Sequence, residues 1–152
     1  MQDIPKQIST RLWKRSGKIP RIVVDTNLFV SGLLNPYSGK PARLIDLLPL
    51  RRKRYQLLIS RKTFEEYKAV INRFEQISRT KRKKLLGKIR AHSNWVSPKE
   101  KFAVIKDDPK DNKLLECAVA GKANFLISGD KHLLSLKEFQ GVKIITIEEW
   151  FV

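Results

Sequence analysis

Residues 21–27 read Arg-Ile-Val-Val-Asp-Thr-Asn: the apolar triplet Ile22-Val23-Val24 runs straight into an acid, Asp25, followed by Thr26 and Asn27. A run of β-branched residues that ends in small polar ones predicts a short buried strand over 22–25. An ionised carboxylate at the end of such a strand is costly unless something cationic offsets its lost hydration. Three further isolated acids, Glu66, Asp111 and Asp130, stand at or near the starts of later elements. Brought together, four such carboxylates repel one another, and a divalent cation is the usual remedy. The pattern therefore points to a metal-dependent enzyme acting on a phosphate substrate.

Outward from this stretch, short apolar segments recur at 56–59 (Gln-Leu-Leu-Ile), 125–128 (Phe-Leu-Ile-Ser) and 143–146 (Lys-Ile-Ile-Thr). Between them the spacing of apolar residues predicts helices over 41–50, 61–74, 78–91, 109–121, 131–136 and 147–151. Alternating short strands and helices imply an α/β fold, with a mostly parallel sheet covered on both faces. In that architecture sites form outside the carboxyl ends of the strands. Asp25 lies at one such end and Asp130 just past another. Neither an internal repeat nor a low-complexity linker divides the chain, so a single domain is expected over 21–152. Residues 1–20 read as a basic N-terminal extension carrying Lys6, Arg11, Lys14, Arg15 and Lys18.

Each acid also has a plainer explanation. Asp25 and Asp130 both suit a helix N-cap after a strand. Glu66 falls at the edge of the apolar stripe Phe64, Tyr67, Val70, Ile71 and Phe74, where a solvated flank with a nearby cation would account for it. In Asp107-Asp108-Pro109-Lys110-Asp111-Asn112, Pro109 fits the first helical position and makes Asp108 the natural N-cap. Asp111 then falls in the first turn, in line with Leu114, Leu115 and Ala118. Independent caps need not share one edge of one sheet, and that joint arrangement favours a common acidic site.

The 152-residue chain has 32 Lys+Arg against 15 Asp+Glu, a formal net charge of +17, which favours polyanionic partners. Candidate phosphate-binding clusters are Arg51-Arg52-Lys53-Arg54 and Lys81-Arg82-Lys83-Lys84, with a solubilising surface as the alternative. Of the three tryptophans, Trp13, Trp95 and Trp150, the last two are expected in the core, although any of them offers a face to an unpaired base. Two histidines and one cysteine do not make a usual zinc site. Neither a phosphate-binding glycine loop nor a Gly-x-Ser-x-Gly elbow occurs. With all-oxygen ligands, Mg²⁺ or Mn²⁺ is the expected ion. The single cysteine, Cys117, and the lack of a long apolar run or a signal-like N-terminus lead to the expectation of a cytoplasmic protein, not a membrane one.

In order, Val-Val-Asp25-Thr26-Asn27, Glu66-Tyr67, Asp107-Asp108-Pro109-Lys110-Asp111-Asn112-Lys113 and Leu-Ile-Ser128-Gly129-Asp130 resemble the PIN domain, a family of metal-dependent ribonucleases that includes many toxins of toxin–antitoxin pairs. The resemblance implies a three-layer α/β/α sandwich on a mostly parallel sheet of about five strands. It assigns Asp25, Glu66, Asp111 and Asp130 to the acidic cluster, with Thr26, Asn27 and Ser128 in support. A metal would be held by Asp25 and Asp111, while Glu66 and Asp130 either hold a second ion or reach the first through water. It further implies an RNA substrate, a cognate antitoxin and, as in many members, a homodimer. Two alternatives stay open: a non-catalytic nucleic-acid-binding or regulatory module with the same basic surface, and a nuclease acting on DNA.

Overall fold

The structure is a computed structural model that describes residues 19–35, 39–46 and 55–151. The cluster Arg51–Arg54, Trp13 and nearly all of the 1–20 segment lie outside the described residues. In chain order the elements are β1 (Arg21–Val24), α1 (Thr26–Leu34), α2 (Lys40–Asp46), β2 (Gln56–Ile59), α3 (Arg61–Ile71), α4 (Arg79–His92) and β3 (Ser93–Trp95). A 3₁₀ turn (Pro109–Asp111) leads into α5 (Asn112–Ala120), followed by β4 (Phe125–Ile127), α6 (Lys131–Leu134), β5 (Glu138–Phe139), β6 (Val142–Ile145) and α7 (Ile147–Trp150).

The strands form one sheet in the order β3-β2-β1-β4-β6-β5. The first five in that order run parallel, and β5 pairs antiparallel with β6. About five strands were expected; the described residues contain six, the extra one being the two-residue β5 at the sheet edge. Period-two alternation splits the core. Ile22 and Val24 pack with Leu57, Ile59, Phe125 and Ile127 beneath Phe29, Leu44, Tyr67, Ile89 and Trp150 of the helices on one face. Val23 points the opposite way with Leu58 and Leu126, beneath Leu114, Leu115 and Ala118 of α5 and Leu133 of α6. Helices on both faces of a mostly parallel sheet give the three-layer α/β/α architecture.

Helix α1 was not legible as a helix. Its exposed face is Asn27, Ser31 and Leu34 and its buried residues include Thr26 and Gly32 beside Leu28, Phe29 and Val30, so polarity does not follow burial and no clear apolar stripe stands out. Gly32 lets α1 and α2 approach: a Cβ there would lie 2.5 Å from Ile45 Cδ1 and 2.8 Å from Pro41 O. Strand β3 was missed because Ser-Asn-Trp carries no strand signal; it forms by pairing with β2, Leu57 to Ser93 and Ile59 to Trp95.

From β1 the chain steps outward through β2 to β3, then crosses back to β4 on the other side of β1. The direction of winding reverses between β1 and β4. That reversal opens a crevice at their carboxyl ends, where Asp25 and the Ser128–Asp130 turn follow.

Candidate active site

Strand β1 delivers Asp25. Its N–H donates to Ile127 O at 2.9 Å, so the carboxylate is anchored by β4 as well as by its own strand. It then caps α1, with Oδ1 accepting from Asn27 N–H at 3.3 Å. Oδ2 accepts a 2.7 Å bond from the hydroxyl of Ser128, which is wholly buried. That same Ser128 Oγ accepts from Asp130 N–H at 2.9 Å, so one hydroxyl joins the two acids across the crevice. Asp130 Oδ1 accepts from His132 N–H at 2.7 Å and from Leu133 N–H at 3.4 Å. Both acids are therefore N-caps, as the plainer explanation required, and both also face the crevice.

Helix α3 delivers Glu66, starting from a capping box in which Ser60 Oγ accepts from Thr63 N–H and Ser60 N–H donates to Thr63 Oγ1. Glu66 is half-buried and pairs with Lys113 Nζ at 3.8 Å, while Glu65 points away to Lys68. The neighbouring Tyr67, fully buried, donates its hydroxyl to Val24 O at 2.6 Å and so fixes the residue before Asp25. Burial pushes the Tyr67 hydroxyl well above its ordinary value, with Cys117 and Asp25 adding to the rise. It stays a donor at any physiological pH. Cys117, buried beside Ser60 and Thr63, has its thiol pushed up to about 12 and is inert.

The last contribution comes from the turn before α5. Asn112 is buried, and its side chain makes a closed pair with Ile105, accepting from Ile105 N–H and donating to Ile105 O, both at 3.0 Å. A further bond runs to Pro109 O at 3.2 Å. Pinned in this way, the 3₁₀ turn sets Asp111 inward, 8% exposed. Asp108 departs from expectation. It sits at the N-cap position with φ −140°, yet its side chain makes no capping hydrogen bond. Its carboxylate instead joins Asp111 and Asp130, with one oxygen of each within 4.8 Å of the others. Asp25 stands beside this group, close enough to act on the charge of Asp111.

The acids open into a cleft of about 200 Å³ lined by Asp25, Thr26, Asn27, Glu66, Asp108 and Asp111, with Arg73, Lys110 and Lys113 at its wall. Asn27 serves through its backbone N–H; Thr26 is buried against the cleft. Burial pushes the Asp25 carboxyl above the usual range despite its bonds from Ser128 and Asn27, and Asp130 and Asp108 push it further. Asp111 is raised to about 7, first by burial and then by Asp25, Asp108, Asp130 and Glu66. Its Oδ2 is buried and has no hydrogen-bond partner. A buried, unsatisfied carboxylate oxygen among other acids is what a hard cation would satisfy, so the donor set fits Mg²⁺ or Mn²⁺.

Of the basic clusters, Lys81, Lys83 and Lys84 are exposed on α4. Arg82 is engaged otherwise, donating from Nη1 to Asn72 O at 2.9 Å, just past the end of α3. Sequence reasoning assigned no site role to Asp108, Asn112, Lys113 or Arg73. A third acid within five residues was the available signal for Asp108; the others depend on tertiary contact.

Residues 21–132 match the PIN domain family. The chain belongs to the PIN-domain family. Members of this family are generally metal-dependent nucleases, and the structure has a cluster of acidic residues. The PIN domain here is 32% identical, over 127 residues, to the uncharacterised protein MJ1680 of Methanocaldococcus jannaschii, covering 78% of this chain and 76% of that protein. Its fold is similar to that in the crystal structure of VapBC2 from Rickettsia felis bound to a DNA fragment from their promoter. The TM-score is 0.54 at 13% identity, covering 83% of this chain and 98% of that one. Among the described residues, no helix is long and apolar enough to cross a membrane.

Proposed function

We propose that this PIN domain is a Mg²⁺- or Mn²⁺-dependent endoribonuclease and the toxin of a toxin–antitoxin pair. The observation that carries the reading is the buried, unpartnered Oδ2 of Asp111, an acid grouped with Asp108 and Asp130 and close enough to Asp25 to feel its charge. A structural cap would have its oxygens satisfied; this one awaits a cation. Asp25 and Asp111 are the proposed principal ligands. Asp108 and Asp130 lie close enough to share the ion or hold a second, and Glu66 lies across the same cleft.

A divalent ion bound here supplies a more acidic water and neutralises charge developing on the scissile phosphate. The chain supplies the rest. Ser128 ties the Asp25 carboxylate to the backbone N–H of Asp130, and Tyr67 fixes β1 beneath them. Arg73, Lys110 and Lys113 offer cations to phosphates entering the cleft. The excess of positive charge supports a polyanionic substrate, and the family supports nuclease chemistry. An antitoxin partner is proposed from the likeness in fold to VapBC2, with a basic side chain of that partner entering the acidic cleft. A homodimer is part of the same proposal.

Purified wild-type and Asp25→Asn proteins incubated with single-stranded RNA and DNA, with Mn²⁺, Mg²⁺ or EDTA, test the reading. The expected result is metal-dependent cleavage of RNA, abolished in the variant. Cleavage that survives Asp25→Asn or EDTA would overturn it, and cleavage of DNA alone would redirect it.

A further inference from the structure

Trp95 was expected in the core; it is instead 48% exposed. It is the last residue of β3, and parallel pairing places it level with Ile59 at the end of β2. The β1–β2 register, Ile22 to Leu57, places Ile59 level in turn with Val24, the residue before Asp25. Trp95 thus lies on the same edge of the sheet as the acids, two strands from β1, about 10 Å away at the usual interstrand spacing. The strand between them ends at Ile59, and after Ser60 come Arg61 and Lys62, both exposed. Along this edge the order is an aromatic face, two exposed cations at the start of α3, then the acidic crevice.

The ring is also held. It packs at 57° on Phe64, 5.5 Å between centroids, and its Nε1–H donates to Arg90 O at 3.4 Å. Ordering an exposed indole before anything binds it lowers the entropy cost of stacking. Its surroundings suit a polyanion: residues 76–99 contain no Asp or Glu, and Arg90, Lys83 and Lys84 of the adjoining helix are exposed. An aromatic face beside a cationic groove is the arrangement that binds single-stranded nucleic acid without reading its sequence.

We infer that Trp95 is a base-stacking site for single-stranded nucleic acid outside the cleft, with Arg61 and Lys62 carrying the backbone from it towards the acids. The inference rests on the nuclease reading for its purpose, but its test needs no cleavage. In the Asp25→Asn background, binding of a labelled, unstructured oligoribonucleotide is measured by anisotropy, alongside a strand of equal length whose bases have been removed. Trp95→Ala is expected to weaken binding of the base-bearing strand about tenfold and leave the abasic strand unchanged. Trp95→Phe should retain most of the affinity. The double substitution Arg61→Ala/Lys62→Ala should weaken both strands alike and flatten the salt dependence. Trp95→Ala binding that matches the parent, or that falls equally for both strands, would overturn the inference; the second result would mean a structural role for the ring. Loss of cleavage in an active Trp95→Ala protein with unchanged binding would also count against it.

Discussion

Asp111 has one buried oxygen with no partner and a carboxyl raised to about 7, so its charge is a liability in the metal-free protein. An acid with a folded-state pKa above its unfolded value holds its proton more tightly when folded. As pH rises from the ordinary 3.8 through about 7, the unfolded state gains by ionising first, and stability falls across that window. In EDTA the melting temperature should therefore drop between about pH 4 and pH 7, and Mn²⁺ should stabilise most at the upper end. Asp111→Asn should flatten this slope and raise metal-free stability at about pH 8 by about 1–2 kcal/mol while abolishing cleavage. A variant that is less stable than wild type at that pH would refute the account. Tyr67 makes the opposite case. Tyr67→Phe removes the 2.6 Å bond to Val24 O and should cost about 1–2 kcal/mol, read as a lower urea midpoint with unchanged m. Because that bond seats the residue before Asp25, cleavage should fall as well, with metal affinity reduced less than rate.

Helix α4 carries its charge against its own dipole. Arg79, Lys81 and Arg82 occupy its first turn, where no acid is present, and its buried face is limited to Leu85 and Ile89. Cations at a helix N-terminus are unfavourable by about 0.3–1 kcal/mol each. Lys81→Glu should therefore stabilise the protein by up to about 1 kcal/mol while weakening RNA binding, opposite signs that thermal melts and anisotropy can read on one sample. Arg82 does not belong to that trade, because its guanidinium holds Asn72 O; Arg82→Glu should destabilise. The 3₁₀ turn before α5 shows the same dependence on context. Pro109 starts it as its sequence suggests, but the Asn112–Ile105 pair positions it, which leaves Asp108 free of capping duty.

At the scale of the molecule, a net charge of +17 means self-repulsion in the free protein and attraction to a polyanion. Added salt should act on these with opposite signs. Raising NaCl should increase the melting temperature of the free protein and weaken its grip on RNA. Four or five phosphate contacts would give a log–log slope of about −3 for a single strand. A flat slope would remove phosphate contacts from the account. The sheet order also explains why acids from four distant segments meet. The winding reverses between β1 and β4, α3 follows β2 beside them, and α5 lies over β1 and β4 on the opposite face.

The sequence by itself determined the α/β class, the strands at 22–25, 56–59 and 125–128 to within a residue, and the placing of Asp25 and Asp130 at strand ends. These follow from local apolar patterning and from where polar residues interrupt it. Helix α1 was hidden because it buries Thr26 and Gly32 while exposing Leu34, and β3 because Ser93-Asn94-Trp95 becomes a strand only through pairing with β2. Only the tertiary structure decided the rest: that Asp108 joins the acids when it could have capped a helix, that Lys113 faces Glu66, and that Trp95 stands outside the core. The physical reason is common to all three. Each depends on which distant backbone happens to satisfy, crowd or uncover a side chain, and local periodicity carries no record of that.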